Sequence, residues 1–310
     1  MPEVVLIYNP GSGKKKGGKR AIDFMERWIE RFGTEPVLRP TQSKEDIRLA
    51  VKETYQSGII QIFMGGDGTI SECLQGLSEL KSFSKLEEPV GILPAGSGNS
   101  FLRDFALKNY EEARDALLDA IANTSVRKVD MGFIQYQKEK KTETRIFCNI
   151  FGVGVIPHIA DLAMKMRFLG SFNYTFATLL KLIRHRPMEF RAIIDGIEER
   201  LRSDFISICN SKYTGGAMIM AKDVEVDDGK LYMVSPLMES KLRILKLFPS
   251  IFSGKHLEHP RVRHHFIQKM KIQYREPLLL LVDGELEKGE NPEISISPGH
   301  WNLFMTKKPS

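Results

Sequence analysis

Two kinds of residue in this sequence could do chemistry: glycine-rich turns that follow apolar runs, and carboxylates set in or beside such turns. The first turn is Asn9, Pro10, Gly11, Ser12 and Gly13, after the run Val4 to Tyr8. The second is Gly65, Gly66, Asp67, Gly68 and Thr69, directly after IIQIFM, and the third is PAGSGN, Pro94 to Asn99, after VGIL. Glycine lets backbone N–H groups approach phosphate oxygens, and the start of a following helix adds partial positive charge. Any one of these turns is most simply a connection between a strand and a helix. Three of them, one holding a carboxylate, point to a phosphate-binding edge. Asp67 would repel a phosphate unless a cation or a proton lay between, which argues for Mg²⁺-assisted phosphoryl chemistry. The plainer reading is an Asp that caps the next turn. Thr69 and Glu72 have the T-x-x-E spacing of a capping box, which predicts the helix start at that point.

Two further stretches carry ambiguous signals. Gly13, four residues, then Gly18 and Lys19 match a P-loop, but Arg20 stands where a Ser or Thr hydroxyl should reach Mg²⁺. In LLLLVDGELEK, Asp283 and Gly284 lie between strand-like runs and read first as a hairpin turn. Glu285 beside them could serve as a general base if it met an acceptor hydroxyl.

The elements that must position these residues are legible from hydrophobic period. Strands are predicted at Val4–Tyr8, Glu35–Arg39, Ile59–Met64 and Val90–Leu93. They alternate with helices at Arg20–Phe32, Ser43–Ser57, Ile70 to about Leu80, and from about Asn99. This order predicts a parallel sheet flanked by helices, with ligands beyond the carboxyl ends of its strands. After Val129 short strands follow one another: Thr144–Ile150, Glu189–Asp195, Asp204–Asn210, Lys230–Ser235, Lys269–Tyr274, Leu278–Val282, Ile294–Ser297 and Asn302–Met305. One helical stretch, about Ile159 to Arg184, interrupts them, and residues 137–144 read as a polar hairpin tip. The fold class is therefore an α/β N-terminal domain, residues 1–129, followed by an all-β sandwich-like domain, residues 130–310. About the last 20 residues are left free to pack back on the first domain.

The 310 residues carry a net charge of +6, and residues 241–275 alone hold nine Lys/Arg against one Glu. That tract is a local +8, so the rest of the chain is near −2. Charge gathered in one place predicts a surface that meets an anionic partner. No nucleic-acid recognition motif accompanies it, and nucleic acid is excluded as a partner. Cys73, Cys148 and Cys209 are odd in number, far apart and set in apolar runs, which predicts buried thiols. No stretch reaches the length of a membrane span and no leader-like segment opens the sequence, so the expectation is a cytoplasmic protein. The four histidines at 256, 259, 264 and 265 lack the spacing of a metal site. FNYTFATLLKLI reads as core, or as aromatics lining a lipid pocket.

With GGDGT, PAGSGN and DGE in that order, the chain resembles the lipid-kinase superfamily of diacylglycerol, sphingosine and ceramide kinases, and its compact bacterial members most. NPGSGKKKG, GGDGTISECLQGL, ILPAGSGNSFLRD, FGVGVIPHIADLAMKMRFLGSFNY, YTGGAMIMAKDVEVDDGKLYMV and LLLLVDGE carry the likeness along nearly the whole chain. GGDGT by itself is shared with NAD kinases. The resemblance implies a two-domain kinase with ATP in the cleft between the domains. It implies nucleotide contacts from Asn9, Pro10, Gly11, Ser12, Gly13, Thr41, Gly65, Gly66, Asp67, Gly68, Thr69, Ile70, Ser71 and Ser97. Asp67 would help place Mg²⁺, and Glu285 would take the proton from the lipid hydroxyl. VEVDDGKL resembles a structural Mg²⁺ turn, with Asp228 supplying a carboxylate and Glu225 and Lys230 backbone carbonyls; the plainer reading of Asp228 is a turn residue. Arg20 is then no defect, because this fold uses no P-loop hydroxyl.

Two departures bear on the acceptor. Asn99 is followed by Ser100, where many bacterial members have Asp. Ile156, Pro157 and His158 stand where sphingosine kinases carry an Asp, and Asp161, a few residues on, is the candidate lipid contact in its place. The implied partners are a lipid substrate, diacylglycerol-like or sphingoid, and an anionic membrane surface met peripherally, with a homodimer allowed. KLRILKLFPSIF has the mixture of an interfacial segment, or of a core helix with a basic face. The alternatives are an NAD-kinase-like phosphotransferase with a soluble acceptor, and a non-catalytic regulator that binds nucleotide or membrane.

Overall fold

A computed structural model describes residues 3–96, 98–107, 109–166, 176–178, 180–181, 186–238 and 240–305. The chain divides into two compact units, the first of residues 3–130 with 299–305, the second of residues 131–298.

In the first unit, β1 (Glu3–Tyr8), β2 (Val37–Pro40), β3 (Ile59–Gly65) and β4 (Leu86–Pro94) form a parallel sheet in the order β4–β3–β1–β2. The middle strands read as unbroken apolar runs because helices cover both of their faces; Val4 to Ile7 and Ile62 to Met64 are all buried. A short turn, α1 (Ser12–Lys15), leads into α2 (Gly17–Phe32). Ala21, Phe24 and Trp28 recur at helical spacing and bury one stripe of α2, and Gly33, at φ 69°, ends it with its N–H on the Ile29 carbonyl. Ser43 caps α3 (Lys44–Thr54) by accepting from the Asp46 N–H.

The helix after β3 corrects the predicted capping box. α4 (Asp67–Leu80) starts two residues before Thr69, with Gly66 at its N-cap and no side-chain cap. Thr69 lies within its first turn, packed against Gly65, where an added Cβ would stand 2.3 Å from the Thr69 Cβ. Glu72 does not turn back to the helix start. It is buried and pairs with Arg48 of α3 at 2.6 Å, and Arg48 also reaches Glu79 at 3.0 Å.

The single helix predicted from Asn99 is two. α5 (Ser100–Arg103) is one turn, followed by Ala106 at φ 58°, and α6 (Tyr110–Ala122) begins under its own cap, Asn109, which accepts from the Glu112 N–H.

The second unit is β-rich: β5 (Val126–Lys138), β6 (Lys141–Phe147), β7 (Ile150–Gly154), β8 (Met188–Ile194), β9 (Ile197–Ser203), β10 (Phe205–Cys209), β11 (Tyr213–Thr214), β12 (Met218–Ile219), β13 (Leu231–Pro236), β14 (Val262–Ile267), β15 (Lys269–Gln273), β16 (Leu278–Val282) and β17 (Glu285–Phe304), with β5 entering from the first unit and β17 returning to it. One path runs β14–β13–β10–β7–β16–β17, and from β17 the pairing continues to β15, β8 and β9 on one side and to β5 and β6 on the other. Their inner faces bury a core that includes Phe147, Phe151, Phe190, Ile206, Met233, Ile272 and Leu280.

The polar tip predicted at 137–144 is a two-residue turn at Glu139 and Lys140, both at positive φ, with Lys138 opposite Lys141. Ile294–Ser297 and Asn302–Met305, expected as two strands, belong to the single long β17. β9 and β14 were not expected: IEERLRS buries only Leu201 and Ser203, and VRHHFI only its two end residues, so neither shows an apolar run. The helical stretch expected from Ile159 starts earlier, as α7 (Val155–Lys165); most of FNYTFATLLKLI lies outside the described residues. All three cysteines are buried, and none is in a disulfide.

Candidate active site

Register puts the strand ends of the first unit level. Tyr8 stands opposite Pro40 and Met64, and Gly65 opposite Pro94. The residues after each strand therefore leave the sheet along one edge, and these are Asn9, Thr41, Gly66 and Ala95.

Their backbones then converge. A Cβ on Gly13, which sits at φ 58°, would stand 2.1 Å from the Ala95 carbonyl oxygen, so the first turn lies directly on the third. A Cβ on Gly96 would come within 2.5 Å of the Gly66 Cα, so the third turn lies on the second. Ala95 and Gly96 both donate their N–H to the Gly65 carbonyl, at 2.7 and 3.2 Å. The glycines are required by contact as much as by conformation.

Side chains close each turn. Asn9 Oδ1 accepts from the Gly11 N–H at 2.8 Å, leaving Gly11 and Lys14 to Lys16 exposed. Asn99, itself left-handed, accepts from the Gly96 N–H and donates to the Gly96 carbonyl. Thr41 is buried, and its N–H and hydroxyl both donate to the Tyr8 carbonyl. Arg20 donates to the Pro94 carbonyl and lies over the Tyr110 ring at 5.0 Å. Ser97 lies outside the described residues.

Asp67 is part-buried at the first turn of α4, where three amides have no intrahelical partner. Its Oδ1 accepts from the Phe101 N–H at 3.4 Å, so the carboxylate also faces the start of α5. Burial pushes its pKa above the ordinary carboxylate value, against the pull of the Ser100 and Phe101 amides and the Arg103 charge. Phe101 is fixed in turn by stacking on Trp301, ring centroids 5.7 Å apart. Of the other candidates in this turn, Gly66 and Gly68 are part-buried, while Thr69, Ile70 and Ser71 are buried.

Glu285 belongs to the second unit. Asp283 (φ 48°) and Gly284 (φ 92°) make the two-residue turn between β16 and β17, pairing Val282 with Glu285. The turn is clamped from below. The Asp283 carboxylate accepts from the N–H groups of Cys148, Asn149 and Ile150 at 2.7, 2.9 and 2.9 Å and from the Cys148 thiol at 3.2 Å, while its own N–H donates to the Ile150 carbonyl. Burial raises its pKa and the amides pull against that rise. Nothing in the sequence marked Asp283 as more than a turn residue, because its partners are more than 130 positions away. Glu285 itself is part-exposed; its strand neighbour Glu287 pairs with Arg145 at 2.8 Å and Lys138 at 3.1 Å.

Asp228 is turned on its own loop. Its carboxylate accepts from the Glu225 and Lys230 N–H groups, and its N–H faces the Glu225 carbonyl. Asp161 pairs with Lys165 one turn along α7 at 2.8 Å. No group of three or more His, Cys, Asp or Glu placed to hold a metal ion occurs among the described residues.

This arrangement has relatives. Residues 3–134 match the diacylglycerol kinase catalytic domain, and residues 149–305 match the YegS C-terminal NAD kinase beta sandwich-like domain. A diacylglycerol kinase of Mycobacterium tuberculosis (strain ATCC 25618 / H37Rv) is 30% identical over 261 residues, 83% of this chain and 80% of the relative. The chain belongs to the diacylglycerol kinase family.

A family member from Bacillus subtilis (strain 168), also a diacylglycerol kinase, is 25% identical over 92% of this chain and 90% of its own. The fold is shared with the crystal structure of a diacylglycerol kinase from Bacillus anthracis str. Sterne. That match has a TM-score of 0.71 at 19% identity and covers 99% of this chain and 97% of that one. A second structure from the same organism matches with TM-score 0.78 at 21% identity, covering 99% and 96%. As a member of this family the protein is an enzyme of the lipid-kinase class. No helix among the described residues is long and apolar enough to cross a membrane.

Proposed function

We propose that the protein transfers the γ-phosphoryl group of ATP, with Mg²⁺, to the hydroxyl of a diacylglycerol-like or sphingoid lipid. The observation that carries this reading is the backbone contact among the three glycine turns at one sheet edge. In this reading the amides at the start of α4 meet the phosphates, and the nucleotide contacts come from the loop Asn9 to Gly13, from Gly65 to Ser71 and from Ser97. Thr41 shapes the same edge through its two bonds to Tyr8.

Asp67 fits a cation. It is an acidic group at the proposed phosphate edge, it accepts from Ser100 and Phe101 without using up its carboxylate lone pairs, and burial makes its charge costly there without a counter-ion. Asp67 would hold the Mg²⁺, which neutralises charge on the transferring phosphoryl group when bound. Asp228 with the Glu225 and Lys230 carbonyls is the corresponding proposal for a structural Mg²⁺, and both groups lie within one turn of chain.

The acceptor hydroxyl is a poor nucleophile until a base takes its proton. Glu285 is that base in this reading. Asp283 holds the two-residue turn that presents it, and so acts as a positioning residue. Asp161 remains the proposed lipid contact on α7.

A soluble acceptor is the second reading, supported by the NAD kinase-like description of the C-terminal domain. The deciding assay is transfer of labelled γ-phosphate to a panel of diacylglycerol, monoacylglycerol, sphingosine, ceramide and phosphatidylglycerol in mixed micelles, with NAD alongside. A labelled lipid that disappears in Asp67→Ala and Glu285→Gln supports the reading and names the acceptor. Labelled NAD with no labelled lipid overturns it.

A further inference from the structure

The basic tract 241–275 is two different surfaces. From residue 262 onward it is sheet, and its cations are met by acids: Arg263 by Glu199, Lys269 and Lys271 by Glu293, Arg275 by Glu276. Before that it is a short helix, α8 (Lys241–Leu247), followed by 3₁₀ turns at Phe248–Ser253 and Lys255–Glu258.

This first part has an inner and an outer side. Ile244, Leu247 and Ile251 pack on a core cluster that includes Tyr232, Val234 and Met238. Outside, Leu242 is 70% exposed and Phe252 is 46% exposed. Arg243, Lys246 and Lys255 are exposed and make no ion pair among the described residues. Leu242 and Lys246 lie one helical turn apart on the same side. Phe252 is braced by an edge-on contact with Phe248, ring centroids 5.9 Å apart, so its ring is held outward.

We propose that residues 242–255 are the part of the molecule that docks on an anionic lipid bilayer. Leu242 and Phe252 enter the boundary between headgroups and acyl chains, while Arg243, Lys246 and Lys255 lie at the level of the headgroups. Scattered large apolar side chains among unpaired cations suit a lipid interface. The cores of protein interfaces are depleted in Lys and call for a contiguous apolar patch instead. The proposal rests on the lipid-kinase reading only for its purpose, since a bilayer is where the acceptor would be met; the docking is measured without turnover.

The test is co-sedimentation of the full chain with vesicles of phosphatidylcholine alone, and of phosphatidylcholine with phosphatidylglycerol. Parent protein should sediment with the anionic vesicles and be released by salt. Arg243→Glu/Lys246→Glu should weaken that binding by about tenfold or more. Leu242→Ser/Phe252→Ser should also weaken it by about tenfold while leaving its salt dependence in place. Arg275→Glu, a reversal of similar kind in the acid-paired half of the tract, should change it by less than about threefold. Equal losses from Arg275→Glu and Arg243→Glu/Lys246→Glu would mean binding by overall charge, and overturn the proposal. So would unchanged vesicle binding in Leu242→Ser/Phe252→Ser, including the case where that variant alters the oligomeric state and the face meets a second copy instead. Turnover on a short-chain, detergent-dispersed diacylglycerol separates the two readings. If no lipid is turned over while the vesicle pattern holds, the kinase reading falls and the docking surface stands.

Discussion

At the scale of single residues, two carboxylates of the 278–288 segment do different work. Glu285→Gln keeps shape and removes the proposed base. In the proposed reaction it should lower kcat about 10²–10⁴-fold while ATP binding, followed by titration calorimetry, is retained. Equal loss of ATP binding would place Glu285 in nucleotide binding instead. Asp283 is structural in its contacts. Asp283→Ala would leave three amides without their acceptor and should cost about 3 kcal/mol or more, read as a lower urea midpoint. An unchanged midpoint would show that the clamp carries no net energy.

How far these roles could be read from the sequence follows from the range of their partners. Asp283 and Gly284 were legible as a hairpin because turn chemistry is local. The link from Asp283 to Cys148, Asn149 and Ile150 was not, because no local rule reaches across that separation. Glu72 shows the converse: a local rule offered it a capping role, and Arg48 of α3, 24 positions earlier in the chain, took it instead. Tertiary charge pairing outweighs a cap worth about 1 kcal/mol.

At the scale of elements, the candidate phosphate edge depends on strands of matched length and on glycines where turns touch. Gly13→Ala would bring a methyl group to 2.1 Å from the Ala95 carbonyl at a left-handed backbone position. Strain of about 1–3 kcal/mol should appear as a roughly 5- to 100-fold weaker ATP affinity, lower stability, or both. Gly18→Ala is the matched control, with nothing within 4 Å of its added Cβ, and should change neither by much. If both variants bind ATP as the parent does, the contact between the turns is not what shapes the edge. The parallel strands and their helices were legible because each carries an apolar run or stripe that faces a core. β9 and β14 were not, since they bury little and read as polar connections. α5 and α6 were merged because the break at Ala106 adopts positive φ without a glycine to announce it.

At the scale of the whole molecule, acid should act through a buried imidazole. His256 is buried under the second unit's core, and burial, with the charges of His264 and Lys222, lowers its pKa to about 4 from an ordinary 6.5. The unfolded chain therefore takes up this proton first. Its effect on stability is nil well above pH 6.5, and stability declines as the pH falls from 6.5 towards 4, by about 3 kcal/mol at most. Urea midpoints of the parent across that range should slope downward towards acid, and His256→Gln should reduce the slope whatever its midpoint at pH 7, leaving the share of His300, which burial likewise lowers to about 4. A parallel slope in the variant would assign acid sensitivity to other groups.

The return of β17 to the first unit has a consequence for how the protein is made. Trp301 and Leu303 pair with Leu86 and Val90 of β4, Phe304 joins the core around Trp28, and Trp301 backs the ring of Phe101. A ribosome delivers residues 3–130 early and these last contacts only after the whole second unit has been synthesised, on the order of 10 s later at bacterial-scale elongation rates. During that interval the nascent first unit has an open β4 edge and an unsupported α5, the element that faces Asp67. The candidate phosphate edge thus matures last although its residues emerge first, and the nascent chain meets that interval with an unpaired strand that invites wrong pairing.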